Sequence, residues 1–565
     1  MALYFKYAFV LLCCFTFGAK SVNIPVEDDA SYYTSDSIIA NGYSIRGRTP
    51  RHEKIELVFA VKQQNLDQLE KILYSVSDPS NKDKYGKHLT NEQVHQLIKP
   101  SDTSVEAVTQ FLQFNKVKIT STSINNDFIT TVVPVATAEK LLNTRYYEFY
   151  HEETGLVVHR TKAYYLPESV SKAVDFVSPT VTLPNPRKKV ARSKKQPNSL
   201  LNDPGILRKL YNVGNVQGSG SNGNKQAVTA FLEQKYSPSD LKEFQELFCG
   251  KNQTFKCTTP SGNVTTKGDQ KGPGTGTESM LDIEYINGLS GNIDTEFWGF
   301  AGRSPDNKNN EPFLKWLMLV SNTTDTEVPH LFSTSYGEDE DLCSFNWAKR
   351  INAEFMKAGA RGISLLFAAG DSGAAGDNGC AGGKKNVFVP QWPSGSPYVT
   401  AVGGTSGLGA ETAIGLGSGG FSNRWARPSW QKSAVESYKK STKLPSNPFN
   451  ATGRGFPDIS AQAIDFVVVM LGIPLPGVSG TSCASPTAGG IFGLLNDIRY
   501  ANNKPPLGFL NPLIYQNADA FNDITTGSNN GCNFNPGFPA AKGWDAATGV
   551  GTPNYLKLKS VVDNI

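Results

Sequence analysis

Ser479-Gly480-Thr481-Ser482-Cys483-Ala484-Ser485-Pro486, running on through small and apolar residues to Leu495, decides how this 565-residue chain is read. A glycine ahead of a serine that opens a buried helix sets the hydroxyl beside N–H groups lacking an intrahelical partner. It also sets it at the positive end of the helix dipole. That suits an activated nucleophile with an oxyanion site at hand. An ordinary serine N-cap shows the same local signal, so the surroundings must decide. Upstream, Gln226 to Glu233, Thr295 to Phe300, His330 to Tyr336 and Gly362 to Ala369 carry strand patterns. Helical patterns over Ser239 to Phe248, Pro312 to Val320 and Asn346 to Ala358 alternate with them. Such alternation predicts an α/β fold, a doubly wound parallel sheet with helices on both faces. Its chemistry should sit in loops beyond the carboxyl ends of the strands. The run Gly415 to Gly420 has no strand–GxGxxG–helix context and reads as loop or substrate cleft.

Composition narrows the class. With 39% hydrophobic and 19% charged residues and a mean hydropathy of −0.32, the chain is globular rather than disordered or collagenous. No apolar run reaches the roughly 18 residues of a membrane span. Length favours two or three domains. Five of the six histidines (His52, His88, His95, His151, His159) lie in the first third, and only His330 follows. A zinc site built on several imidazoles is therefore excluded from the later chain.

Residues 1–19 form a Lys-flanked apolar run ending in small residues, a secretory signal peptide. Its removal takes Cys13 and Cys14 and leaves Cys249, Cys257, Cys343, Cys380, Cys483 and Cys532, none with C-x-x-C spacing. Disulfides in an oxidising compartment follow, and Cys249 and Cys257 could close a short loop. Sequons at Asn252, Asn263, Asn322 and Asn450 agree with a glycosylated secretory product. Strand patterns over Ile55 to Val61 and Asp127 to Val135, with helical ones over Leu66 to Val76 and Ser104 to Phe114, predict a smaller α+β domain over 20–184. The basic run Arg187 to Lys195 lies in a segment, 185–200, that separates it from a body over 201–565. A solvated, protease-sensitive linker suits that run better than a nucleic-acid patch, so no nucleic-acid partner is expected. The order is that of a pro-region and a mature body.

A serine nucleophile needs a base. The Gly-rich turn that should carry a histidine reads Gly274-Thr275-Gly276-Thr277-Glu278-Ser279-Met280-Leu281-Asp282 and has none. Glu278 and Asp282 are four apart and share a helix face. Neighbouring carboxyls split their titrations, so one can stay ionised to take the serine proton while the other holds its own. Asp371 follows the apolar strand at 362–369. Protonated, it could donate to a developing oxyanion, which ties the chemistry to acid pH. The same segment, Asp371-Ser372-Gly373, also admits Ser372 as a nucleophile of a β-barrel enzyme, which would need a paired histidine.

Together these features resemble the sedolisin family of serine-carboxyl peptidases. Asp78-Pro79-Ser80 with Tyr85-Gly86-Lys87-His88-Leu89-Thr90 looks like its pro-domain signature. Further likeness lies in residues 312–319, Ser335-Tyr336-Gly337 with the acidic run Glu338 to Asp341, residues 505–512, and Gly543-Trp544-Asp545. These segments are similar to the lysosomal, tripeptide-releasing branch of the family. The resemblance implies a subtilisin-like catalytic domain behind a ferredoxin-like α+β pro-domain. Ser482 would be the nucleophile, Glu278 the base, Asp282 its partner and Asp371 the oxyanion acid. One departure is Cys483-Ala484-Ser485, where the family usually has Ala-Ser-Thr after the nucleophile. It also implies one structural Ca2+ held by Asp523, Ile524, Ala541, Gly543 and Asp545, two carboxylates plus backbone carbonyls. Cys380 and Cys532 would bridge, leaving Cys343 and Cys483 free. Substrates would be peptides with a free N-terminus, their ammonium a possible match for Glu338 to Asp341, although such a run is usually a solvated face. The pro-domain would inhibit and assist folding until acid-triggered cleavage near Lys195 to Asn198. A monomer in the secretory route or an acidic lysosome-like compartment is expected.

Overall fold

Runs such as Ala227-Val228, Phe297-Trp298, Leu331-Phe332 and Leu365-Leu366-Phe367 are apolar on both alternating sets of positions, as strands covered on both faces require. The computed structural model describes residues 23–27, 43–152, 155, 157–181, 183, 201–220, 223–249, 255, 257–270, 274–301, 312–376 and 387–565. The expected signal peptide, basic linker, Cys380 and Asn252 lie outside the described residues.

An eight-stranded sheet organises the body. Its order is Thr265–Gly268, Asp294–Gly299, Lys225–Ala230, Leu331–Thr334, Ser364–Ala368, Thr400–Ser406 and Thr412–Ala413, with Ile459–Gln462 also paired to Thr400–Ser406. Every pair is parallel except the short one between Thr400–Ser406 and Thr412–Ala413. The first strand in the chain, Lys225–Ala230, is therefore internal, and the order switches direction beside it. Val228, Leu331 and Leu366 pack toward the helices Thr277–Ser290 and Thr481–Ala501. Ala227, Phe332, Leu365 and Phe367 pack toward Phe313–Asn322 and Phe345–Ala360. This is the doubly wound α/β arrangement. The strand expected to reach Glu233 stops at Ala230 because Leu232 and Glu233 turn away with φ of 56° and 58°.

The front part carries a four-stranded antiparallel sheet in the order Ser121–Thr122, Phe128–Pro134, Lys54–Val61, Val174–Ser178. Helix Asp102–Phe114 packs on it, giving a split β-α-β-β-α-β order. This part is joined to the body through a shared core. Val58, Ala60, Phe128 and Phe176 enter the cluster around Trp347, Ile351 and Phe355, and Leu69, Leu73, Val94 and Ile98 meet Ala353, Met356 and Phe509. Helix Phe345–Ala360 is thus covered by the front part. Arg350 at its middle bonds Asp127 at 3.0 Å, Asp175 at 3.2 Å and Glu354 at 3.3 Å, and Lys357 lies 3.6 Å from Asp127.

Candidate active site

Two helix starts and two strand ends build the site. A Cβ on Gly490 would lie 2.7 Å from the Ile286 carbonyl, so the glycine lets helix Thr481–Ala501 close onto Thr277–Ser290. The starts of these helices carry Ser482 and, in the first and second turns of the other, Glu278 and Asp282, all three buried. Ser335, just past strand Leu331–Thr334, links Asp282 to Ser482. Its hydroxyl donates to Asp282 Oδ1 at 2.7 Å and lies 3.5 Å from the Ser482 carbonyl. From the neighbouring strand end comes Asp371, exposed at the mouth. Thr481 donates its N–H to Asp371 Oδ1 at 2.7 Å, and its hydroxyl lies 2.8 Å from the same oxygen. Gly480 makes this approach possible. Its φ is 149°, and a Cβ there would lie 2.6 Å from Asp371 Oδ2.

Cys483 reports the local field. Burial above all, then the carboxyls of Asp371, Glu278 and Asp282, push its thiol well above the ordinary range. All three acids therefore act on the residue next to Ser482. Ser335 and Thr481 were singled out by no sequence argument of their own. Their only signal was a place in segments quoted for other reasons. Ser372 instead gives its N–H to Ser418 Oγ at 3.1 Å, in a body that is a parallel sheet and not a β-barrel. His330 sits before its strand, with Nδ1 2.9 Å from Tyr500 OH near the far end of helix Thr481–Ala501. It is far removed from Ser482, eighteen helix residues away from Tyr500, about 27 Å at 1.5 Å per residue.

The acidic run departs from the solvated-face expectation. Glu338, Asp339 and Glu340 are buried, and Glu338–Asp339 pairs with Gln391–Trp392 beyond the sheet. Burial pushes Glu340 up to about 7, opposed by bonds from Ser422 Oγ and from Asn423 N at 2.7 Å. The five residues named for calcium gather around one turn. Gly543 N donates to Asp523 Oδ2 at 2.9 Å and Ala541 N to Asp545 Oδ2 at 3.0 Å. Asp545 is fully buried, and its bonds from Ala541, Ala547 and Thr548 come from neutral groups. Cys249 and Cys257 form a disulfide, Cys532 is disulfide-bonded, and Cys343 and Cys483 are buried thiols outside any disulfide.

Comparison with known proteins meets this geometry. Residues 41–183 match the Pro-kumamolisin, activation domain family. The chain is 38% identical to tripeptidyl-peptidase 1 of Homo sapiens over 546 residues, covering 93% of this chain and 94% of that protein. It is also 38% identical to tripeptidyl-peptidase 1 of Mus musculus over 543 residues, with the same shares covered. A solved structure of Pseudomonas sedolisin (serine-carboxyl proteinase), complexed with two molecules of pseudo-iodotyrostatin, shares the fold. Its TM-score is 0.50 at 22% identity, over 64% of this chain and 98% of that one. Sheet and activation domain together define a peptidase zymogen. Identity over nearly the whole length then places the chain in the tripeptidyl-peptidase 1 family of serine-carboxyl peptidases.

Proposed function

We propose that the chain matures in acid into an aminopeptidase that removes tripeptides from free peptide N-termini. Ser482 Oγ attacks the carbonyl after the third residue as its proton passes to Glu278, and Asp282, pinned at Oδ1 by Ser335, holds the second proton of the pair. With Oδ1 of Asp371 addressed twice by Thr481, its proton sits on Oδ2 and hydrogen-bonds the oxyanion. Glu278 then protonates the departing amine. Water, deprotonated by the same Glu278, releases the tripeptide and restores Ser482. The observation that carries this reading is the convergence of Asp371, Asp282 and Ser335 on the first two residues of helix Thr481–Ala501.

The buried Glu338 and Asp339, with Glu340 held protonated beside them in acid as a neutral acceptor, suit a substrate ammonium, and an ammonium fixed there sets the length of the product. Asp523 and Asp545, with carbonyls of Ile524, Ala541 and Gly543, suit one Ca2+: two carboxylates addressing one turn supply hard oxygen donors, and the ion would neutralise the buried Asp545, whose hydrogen bonds come from Ala541, Ala547 and Thr548. It is structural, distant in sequence from the reacting groups. Residues 1–19 act as signal, 20–184 as pro-domain, 185–200 as the cleaved linker and 201–565 as the mature enzyme, delivered through the secretory route to an acidic, lysosome-like compartment. Among the described residues no helix is long and apolar enough to cross a membrane. The test is to acidify purified precursor and sequence both the new N-terminus and the released peptides. Tripeptides from the parent and none from Ser482→Ala are expected; retained cleavage by Ser482→Ala overturns the assignment.

A further inference from the structure

We propose that His88 and His95, two imidazoles of the front part, are an acid-operated release for the pro-domain, accommodated at the interface when neutral and expelled from it when protonated. This rests on the reading of residues 20–184 as a removable pro-domain.

His88 enters a slot whose walls are glycine backbone. A Cβ on Gly362 would lie 2.5 Å from its Cδ2, and one on Gly508 2.6 Å from its Cε1. Both glycines have positive φ, 81° and 70°. Nε2 lies 2.9 Å from the Pro506 carbonyl, which can only accept, so Nε2 carries the hydrogen. Nδ1 is buried without a hydrogen-bond partner. A second proton would make it a buried donor with nothing to receive it, beside the Arg499 guanidinium and close to His330.

His95, on helix Asn91–Ile98, is 8% exposed with Nε2 2.9 Å from Ser321 Oγ. Lys357 and Arg361 face it, as do Asp127 and Asp325. Both carboxylates are already engaged. Asp127 holds Arg350 and Lys357, while Asp325 takes Arg361 at 2.8 Å and the Asn91 N–H at 2.8 Å. Burial, then the Lys357 ammonium, hold this imidazole at about 4, and burial likewise depresses His88.

The ion pairs of the same interface do not supply the trigger. Burial would raise Asp127, but Lys357 and Arg350 outweigh it and hold its carboxyl far below the usual range. It stays ionised at pH 4 and keeps its partners. The imidazoles have the opposite linkage. Above about 6.5, the free-histidine value, both closed and released forms are neutral and pH has no grip. Below it the released form binds a proton that the closed form refuses, so closure weakens about tenfold per pH unit per imidazole. At pH 4.5, two units below that value, this amounts to at most about 100-fold for each and about 10⁴-fold for the pair.

The test uses the full-length chain with Ser482→Ala, which removes self-cleavage. Amide exchange over 91–98 and 345–360, corrected for intrinsic rates, should lose up to about 10⁴-fold of its protection between pH 7.5 and 4.5. With His88→Gln or His95→Gln the loss should shrink to about 100-fold, and an unchanged loss overturns the proposal. Should either substitution disturb folding at neutral pH, exchange of the imidazole Cε1–H in the Ser482→Ala chain serves instead. Both rings should remain neutral at pH 5.5 while the amides stay protected, and ordinary titration near 6.5 in the closed form overturns the proposal. Neither readout requires peptidase activity, so an error in the catalytic reading would show separately, as self-processing by the Ser482→Ala chain.

Discussion

Gly480→Ala tests the oxyanion assignment without touching a reacting group. The added Cβ would stand 2.6 Å from Asp371 Oδ2 and 3.3 Å from its Cγ, whereas ordinary contact begins near 3.4 Å. The carboxyl must withdraw by most of an ångström, and it is not a loose side-chain end. Its Oδ1 is held at 2.7 Å by Thr481 N and at 2.8 Å by Thr481 Oγ, so withdrawal stretches both bonds. Alanine at φ 149° adds about 1–3 kcal/mol of backbone strain. Losing one aimed donor to an oxyanion costs about 100- to 1000-fold in kcat. The expected result is that drop in kcat with KM nearly unchanged, measured on an N-terminal tripeptide substrate with acid-matured enzyme. Asp371→Ala, which removes the donor outright, should give a loss of the same order, and the double variant should lose little more than either single one, because both act through one group. A folded Gly480→Ala enzyme with parental kcat would refute the reasoning; so would fully multiplying losses in the double variant.

Other outcomes follow from buried charge. Arg350→Met leaves Asp127, Asp175 and Glu354 with Lys357 as the remaining nearby cation, at a cost of about 3–5 kcal/mol, so thermal unfolding of the full-length chain should come at clearly lower temperature; an unchanged Tm would show the cluster balanced without it. Glu340, raised to about 7 by burial from 4.5, stabilises the fold fully below pH 4.5, and that contribution is lost as pH rises toward 7, a span of about 3 kcal/mol. Denaturant titrations of the Ser482→Ala chain with and without Glu340→Gln should show it as a stability difference between the two that changes by about that amount between pH 4.5 and 7.5; a difference independent of pH would refute it. If calcium is held as proposed, a chelator should lower the Tm of the parent by a few degrees and leave Asp523→Asn unmoved.

Legibility followed local chemistry. Strands with unbroken apolar runs, such as Ser364–Ala368, and helices with a clean stripe, such as Phe345–Ala360, were readable because burial is written into consecutive residues. Thr400–Ser406, a central strand, escaped notice because Gly403 and Gly404 interrupt its apolar pattern. The structure explains them: a Cβ would meet Ser460 Oγ at 2.6 Å at the first and the Ile414 side chain at 2.6 Å at the second. Ile459–Gln462 was hidden for a related reason, since its burial comes from partners remote in sequence. At the site, Ser482, Glu278, Asp282 and Asp371 stood out by type and spacing. Ser335 could not, because its value lies in reaching Asp282 across 53 residues. The acidic run read as surface because four carboxylates in a row usually are, and only the pairing of Glu338–Asp339 with Gln391–Trp392 buries them.

The distribution of histidine now has one physical account across both parts of the chain. On the proposed mechanism, carboxyl groups within the body stand where an imidazole base would, so activity would need protons on some of them and be confined to acid. His330, the one imidazole left there, is engaged with Tyr500 at the opposite end of the sheet. In the front part, the two imidazoles nearest the body are set where neutrality is required for closure, one in a glycine slot and one among cations. The same fall in pH thus acts on two sets of groups with opposite sense. It would supply the protons that Glu278, Asp282 and Asp371 share in the proposed turnover, and it would load His88 and His95 with charge that the closed interface cannot hold. Unmasking and competence would then arise over the same pH range, which protects the neutral compartments through which the precursor travels.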